Sequence, residues 1–286
     1  FRISYHGGDG NDVVITRVNL ADYDFDGDGK ADVAVFRPSN GVWYQFLSAN
    51  NGIAAPAFGI STDKLVPADY DGDAKTDVAV FRNGVWYYLK SLDNTFAFSV
   101  FGASGDIPVP NDFDGDGRAD FAVFRPAGGT WYQLRSLSNQ VSATQFGQNG
   151  DLPQIGDFDG DGFGDLIVYR QGNWYALLSA DNSFSATAFG IATDKPVPAD
   201  YDGDGKTDIA VYRDGNWYLL NSTAGFSAVS FGIATDIPVP ADYDGDGKAD
   251  VAVYRNGIWY RLRSTAGFDA VSFGISTDKP IPGAFQ

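Results

Sequence analysis

Four aspartates fall within nine residues at Asp24, Asp26, Asp28 and Asp32, in the stretch DFDGDGKAD, and the spacing returns five more times. The copies are Asp69, Asp71, Asp73 and Asp77; Asp112, Asp114, Asp116 and Asp120; and Asp157, Asp159, Asp161 and Asp165. Asp200, Asp202, Asp204 and Asp208, then Asp242, Asp244, Asp246 and Asp250, complete the set. Positions 1, 3, 5 and 9 of each loop offer carboxylate oxygens. Position 7 (Lys30, Lys75, Arg118, Phe163, Lys206 and Lys248) can add a backbone carbonyl. Carboxylates at this density repel one another unless something compensates them. Hard divalent cations such as Ca²⁺ take six to eight oxygens in flexible geometry, and interspersed glycines let a short backbone wrap the ion. The pattern therefore predicts about six Ca²⁺, one per loop.

An EF-hand would use similar residues, but it needs a Glu at position 12 between two helices. Val35 holds that position, and the flanking residues read as strands. Asp and Gly also form turns without any metal, yet a turn does not require four aspartates at fixed positions six times over. The second loop carries Ala74 where the others have Gly. A positive φ there costs a side chain about 1 kcal/mol or more, so the site of Asp69, Asp71, Asp73 and Asp77 is expected to be the weakest.

Little else has the makings of catalysis. His6 is the only histidine, cysteine is absent, and a Ser-His-Asp triad would rest on His6 alone. A glycosidase pair would have to be two aspartates, and 24 of the 37 already belong to the loops. The chain is expected not to be an enzyme; a polysaccharide lyase working through Arg, Lys or Tyr is the alternative. Asn221-Ser222-Thr223 forms a lone glycosylation triplet, and GGDGNDVVI (Gly7 to Ile15) matches one calcium-binding β-roll nonapeptide. A single roll copy cannot share ions with stacked neighbours, so it reads as a turn in a hairpin.

The elements that must position these loops follow from the repeat. Loop starts are separated by 45, 43, 45, 43 and 42 residues. Each loop precedes an apolar run ending in Arg37, Arg82, Arg125, Arg170, Arg213 or Arg255. Next comes Trp-Tyr, at Trp43, Trp86, Trp131, Trp174, Trp217 and Trp259, and then Phe-Gly, beginning at Phe58, Phe101, Phe146, Phe189, Phe231 and Phe273. Links such as Asn83-Gly84 mark tight hairpins. Four short antiparallel strands per repeat make an all-β β-propeller. The tryptophans are expected to pack between blades.

The units span about 18–62, 63–105, 106–150, 151–193, 194–235 and 236–277 of a single domain, 1–286. An N-terminal hairpin (1–17) and a closing strand (278–286) remain, and together predict a split seventh blade that hides the sheet edges. Asp63, Asp106, Asp151, Asp194 and Asp236 precede the first strands and are expected to pair with the strand-ending arginines, opposite the acidic loops. Arg37 has Val18 at the matching place, which leaves it as the arginine most available to a ligand.

All 37 acidic residues are Asp, which favours turns where Glu favours helices, and the net charge is −17. Such a charge argues against nucleic acid and anionic membranes as partners, and no apolar run is long enough to span a bilayer. The chain starts FRISYHGGDG, without an initiator Met or a signal-peptide apolar region, and is expected to be part of a longer protein.

The loops, the Phe-Gly dipeptides and the repeats of about 45 residues resemble FG-GAP (VCBS-type) repeats, the family of the integrin α-subunit propeller, over roughly 18–283. The resemblance implies a calcium-stabilised extracellular propeller serving adhesion or ligand recognition, with the loop aspartates as cation ligands. A secreted or surface-exposed bacterial module that binds a glycan or a protein is the function it implies. A passive scaffold is the alternative.

Overall fold

The computed structural model describes residues 2–7, 12–16 and 22–281. Among these residues every regular element is a β-strand. Strands β1 (Arg2–Gly7) and β2 (Asp12–Thr16) form a separate antiparallel hairpin, as their sequence suggests. The centre of the GGDGNDVVI stretch and Val18 lie outside the described residues.

Six four-stranded antiparallel sheets follow. The first holds β3 (Val33–Arg37), β4 (Val42–Phe46) and β5 (Ile53–Ala54), and the second β6 (Lys64–Leu65), β7 (Val78–Arg82), β8 (Val85–Leu89) and β9 (Phe96–Val100). Blade three is β10 (Ile107–Pro108), β11 (Phe121–Arg125), β12 (Thr130–Leu134) and β13 (Val141–Gln145). Blade four is β14 (Leu152–Gln154), β15 (Leu166–Arg170), β16 (Asn173–Leu177) and β17 (Phe184–Ala188). Blade five comprises β18 (Lys195–Pro196), β19 (Ile209–Arg213), β20 (Asn216–Asn221) and β21 (Gly225–Ser230). Blade six comprises β22 (Ile237–Pro238), β23 (Val251–Arg255), β24 (Ile258–Arg263) and β25 (Gly267–Ser272).

The ring closes at six blades and not seven. Strand β26 (Lys279–Pro280) pairs with β3, Lys279 opposite Phe36 and Pro280 opposite Val35, and so supplies the first strand that blade one lacks. With that pairing made, the closing strand leaves nothing for a split blade. The hairpin β1–β2 stands as a sheet of its own. The same register brings Asp278 to Arg37, so the expectation that Arg37 is free fails: its Nε and Nη2 reach the two carboxylate oxygens at 2.8 and 2.9 Å. The partner lies 241 residues away in sequence, beyond the reach of local pattern.

The hydrophobic clusters sit between blades, which explains why the second strands are apolar throughout. Ala34, Phe36 and Trp43 of blade one pack with Leu65, Val78 and Val80 of blade two. Tyr243, Tyr254 and Trp259 of blade six pack with Val33 and Val35 of blade one, closing the circle. A strand enclosed by blades on both faces reads as continuous hydrophobic sequence and not as an alternation; VAVFR of β3 is buried up to its arginine. All six tryptophans are core residues, each no more than 1% exposed. Each indole also donates to the carbonyl of the following Phe-Gly, as Trp43 Nε1 does to Phe58 at 2.8 Å and Trp217 Nε1 to Phe231 at 2.9 Å. That bond satisfies the only polar atom of a buried ring. The hairpin turns behave as expected: Asn83 and Gly84 both take positive φ, 51° and 85°. Gln171-Gly172 makes the same turn without the Asn-Gly signal.

Candidate metal centre

Each acidic loop leads into the second strand of a blade, and in blades two to six it joins the first strand to the second; its carboxylates first organise their own backbone. Asp24 Oδ1 accepts from the Gly27 amide at 2.6 Å, and its Oδ2 from that of Gly29 at 2.8 Å. Asp32 Oδ2 accepts from Phe25 N–H at 2.8 Å, drawing position 9 back over position 2. The other loops repeat these bonds, for example Gly203 and Gly205 on Asp200 and Tyr201 on Asp208. Position 6 takes φ of 86° at Gly29 and 71° at Ala74, so the second loop does place a β-carbon in left-handed backbone.

The folded loop brings positions 1, 3 and 9 together. Ligand oxygens of Asp24, Asp26 and Asp32 lie within 4.8 Å of one another, as do those of Asp69, Asp71 and Asp77, and of Asp112, Asp114 and Asp120. Asp157, Asp159 and Asp165, and Asp200, Asp202 and Asp208, form the same trio. These acidic clusters could hold metal ions. Position 5 is placed differently. Asp28 accepts from its own loop, at Lys30 N–H, and from Ser48 Oγ at 2.9 Å, and it is not part of the trio. Asp73, Asp116, Asp161, Asp204 and Asp246 bind Ser91, Ser136, Ser179, Ser222 and Ser264 in the same way.

These serines escaped the sequence reading. Ser48 N–H also donates to Asp32 at 2.7 Å, so one residue grips positions 5 and 9 together. Their signal was present: a Ser stands five residues after every Trp of the Trp-Tyr pairs. The Asn221 triplet lies at this same clamp, at the end of β20, and the Asn221 side-chain oxygen is buried without a protein partner.

Two observations show that the trio is electrostatically incomplete. First, burial pushes the position 9 carboxyls, Asp32, Asp77, Asp120, Asp165, Asp208 and Asp250, up to about 6, against the hydrogen bonds that favour their ionised form. Burial likewise raises Asp24, Asp69, Asp157, Asp200 and Asp242 at position 1. Second, one oxygen each of Asp114, Asp202 and Asp244, all at position 3, is buried with no hydrogen-bond partner. An orphaned buried acceptor costs about 1–3 kcal/mol, and a charged one more. A divalent cation among the three carboxylates would satisfy both. The donor set, all hard oxygen, suits Ca²⁺ or Mg²⁺ and not a thiolate-loving metal.

The loops also form a closed ring. The position 8 amide of each loop donates to the position 1 carbonyl of a neighbouring loop: Thr76 to Asp24, Ala119 to Asp69, Gly164 to Asp112, Thr207 to Asp157, Ala249 to Asp200 and Ala31 to Asp242, at 2.6–2.7 Å. The position 7 side chain covers the glycine at position 4 of that same neighbour. A β-carbon on Gly27 would meet the Lys75 chain at 2.8 Å, and one on Gly245 would meet Lys30 at 3.0 Å. Phe163 fills this place on Gly115, where the other loops use Lys or Arg. Beside it, a cleft of about 470 Å³ between blades three and four is lined by Gln133, Arg135, Phe163 and Asn182.

At the other end of the strands, Arg82 bonds Asp63 through Nε and Nη2 at 2.6 and 2.7 Å. Arg125–Asp106, Arg170–Asp151, Arg213–Asp194 and Arg255–Asp236 repeat the fork. The guanidinium of each stacks over the Tyr next to the core Trp, 4.4 Å for Arg37 on Tyr44 and 5.2 Å for Arg82 on Tyr87. Asp63 Oδ2 also accepts from Ile60 N–H at 2.8 Å. These arginines serve the fold.

An FG-GAP-like repeat model matches residues 24–80, 112–168, 157–211 and 200–253, more than half of the chain. The chain belongs to the FG-GAP-like repeat family. No curated protein matches it. Among solved structures it is similar to an Agrocybe aegerita lectin described as recognising non-reducing terminal N-acetylglucosamine, with a TM-score of 0.58 and 20% identity over 85% of this chain and 76% of the lectin. It is also similar to virginiamycin B lyase from Staphylococcus aureus, with a TM-score of 0.54 and 9% identity over 87% and 83% of the two chains. At such identities the likeness is one of fold.

Proposed function

We propose that this FG-GAP-like propeller is a calcium-stabilised module of a secreted or surface protein that binds a glycan or a protein and catalyses no reaction. The observation that carries the calcium assignment is the ring of aspartate trios with orphaned buried oxygens at Asp114, Asp202 and Asp244. Bound calcium supplies the positive charge that the trio lacks. Positions 1, 3 and 9 would hold it, the serines orient position 5 beside them, and the glycines keep the loop wrapped. Six ions would carry the formal charge from −17 to −5.

Ligand binding is supported more thinly, by the shared fold with a lectin. The surface proposed for it is the end carrying the hairpin turns and Phe-Gly loops, where a cleft of about 430 Å³ is lined by Ile60, Lys64, Arg82 and Asn83. A passive scaffold has one specific observation in its favour: the repeated Trp and Arg side chains all bond within their own blades. Elemental analysis of the purified protein after incubation with excess calcium is expected to give close to six ions per chain. Finding none would end the calcium reading. A glycan array probed with calcium present separates module from scaffold, and an array without hits at high protein concentration favours the scaffold.

A further inference from the structure

Two backbone hydrogen bonds in series join each aspartate trio to the next. Thr76 N–H of blade two donates to the Asp24 carbonyl of blade one at 2.6 Å. The peptide group that accepts there, Asp24–Phe25, donates its own N–H to Asp32 Oδ2 at 2.8 Å. On the other side, the peptide group that carries Thr76 N–H also carries the Lys75 carbonyl, the position 7 oxygen of its loop. Two peptide groups thus lead from the position 7 oxygen of one loop to a trio carboxylate of the next. All six junctions have this link. Tyr70 to Asp77, Phe158 to Asp165 and Tyr243 to Asp250 repeat the second bond at 2.7–2.9 Å. Every link runs in the same sense, and Ala31 to Asp242 closes the circle.

A side chain takes the same route. A β-carbon at Gly160 would meet the Lys206 chain at 2.9 Å, and Gly160 N–H is one of the donors that fix the Asp157 carboxylate, at 2.6 Å. Position 1 is therefore clasped by its neighbour twice: directly at its carbonyl, and through the glycine that holds its carboxylate. Carboxylates this crowded push an empty loop open, and a cation among them draws it shut. Shutting one loop fixes its positions 7 and 8, the groups that clasp the next position 1. The next loop then has less conformational freedom left to lose on binding. Charge works against this, because each bound ion weakens the negative field at its neighbours. That opposition is screened over about 8 Å at physiological ionic strength, whereas the hydrogen bonds are direct contacts.

We infer that the six loops bind calcium cooperatively, each filled loop preparing its neighbours through the position 8 amide. This rests on the calcium role proposed for the trios. Each loop has two neighbours in the closed ring, so nearest-neighbour coupling governs how the sites fill, as it governs the stability of repeat arrays. A coupling of about fivefold per link, at the low end for linked sites, gives a Hill coefficient of about 2.

Calcium titration of the chelator-stripped protein, followed by calorimetry and by amide hydrogen exchange, tests this. The isotherm should be sigmoidal, and the amides of Thr76, Thr207 and Ala249 should gain protection over one shared range of calcium. Asp202→Asn removes a carboxylate from the blade five trio while keeping its size and an acceptor oxygen. It should raise the calcium needed to protect the loops of blades four and six by about twofold, and change blade two, across the ring, least. Six ions bound with a Hill coefficient of one, or loops of blades four and six that ignore Asp202→Asn, would overturn the cooperativity and leave the calcium assignment standing. Finding no bound ion would end both.

Discussion

The two ends of the wheel solve one electrostatic problem in opposite ways. At the hairpin end each buried aspartate, such as Asp194, meets an arginine of its own blade in a two-bonded fork at 2.5 and 2.7 Å. At the acidic end four carboxylates crowd each loop, and the position 7 cation, where there is one, lies across the neighbouring loop. Charge pairing within each blade makes the first end self-sufficient. If cations fill the aspartate trios as proposed, the second end draws its neutralising charge from outside, and part of the fold's stability is tied to its surroundings.

Removing the outside charge should have the largest effect. With a dissociation constant of about 0.1 mM per site and millimolar calcium, each ion contributes roughly 1.4 kcal/mol, and six contribute about 8. Chelation is expected to lower the melting temperature by about 15 °C or more, reversed by calcium. A melt that ignores chelator would place the two ends on the same footing and remove the contrast. Next in size, Arg213→Ala leaves the buried Asp194 without its counter-charge. Because the arginine is partly exposed, the loss should be about 2–3 kcal/mol, below the range for fully buried pairs. Denaturant titration should give the same loss with and without calcium, and a loss confined to loaded protein would mean that the two ends are coupled.

The pH response should differ in sign between loaded and stripped protein. The position 9 carboxyls titrate near 6 when folded and without metal, above the 3.8 of an ordinary aspartate. Between those values the folded state holds more protons than the unfolded one, so folding is favoured by acid. The chelated protein should therefore melt higher at pH 5 than at pH 7, whereas protons competing for the ligands should lower the melt of the loaded protein. Parallel profiles would contradict the trio's role. The smallest effect is expected from Ala74→Gly, which relieves the left-handed alanine and should gain about 1 kcal/mol. Site-resolved calcium titration should find the Asp69 loop weakest in the parent protein and level with the others in the variant.

Much of this was legible because turns and loops are short-range. The Asp spacing sets which amides each carboxylate can reach, and Asn83-Gly84 sets its own turn. The six serines were missed for a different reason. Ser48 is one polar residue among many in sequence, and it gains meaning only when the chain returns it to a loop 16–20 residues earlier. Position 5, read from spacing as a fourth ligand, also accepts a serine hydroxyl in the fold, a contact that spacing alone does not reveal.

The sequence by itself determined the repeat, the four-stranded blade, the acidic loops and the aromatic packing between blades, since each depends on residues within one repeat or its immediate neighbour. Tertiary structure alone decided that the circle holds six blades, that its last strand belongs to the first, and that Arg37 finds Asp278. Those outcomes depend on the angle between successive blades summed around a whole turn. No single repeat encodes that sum.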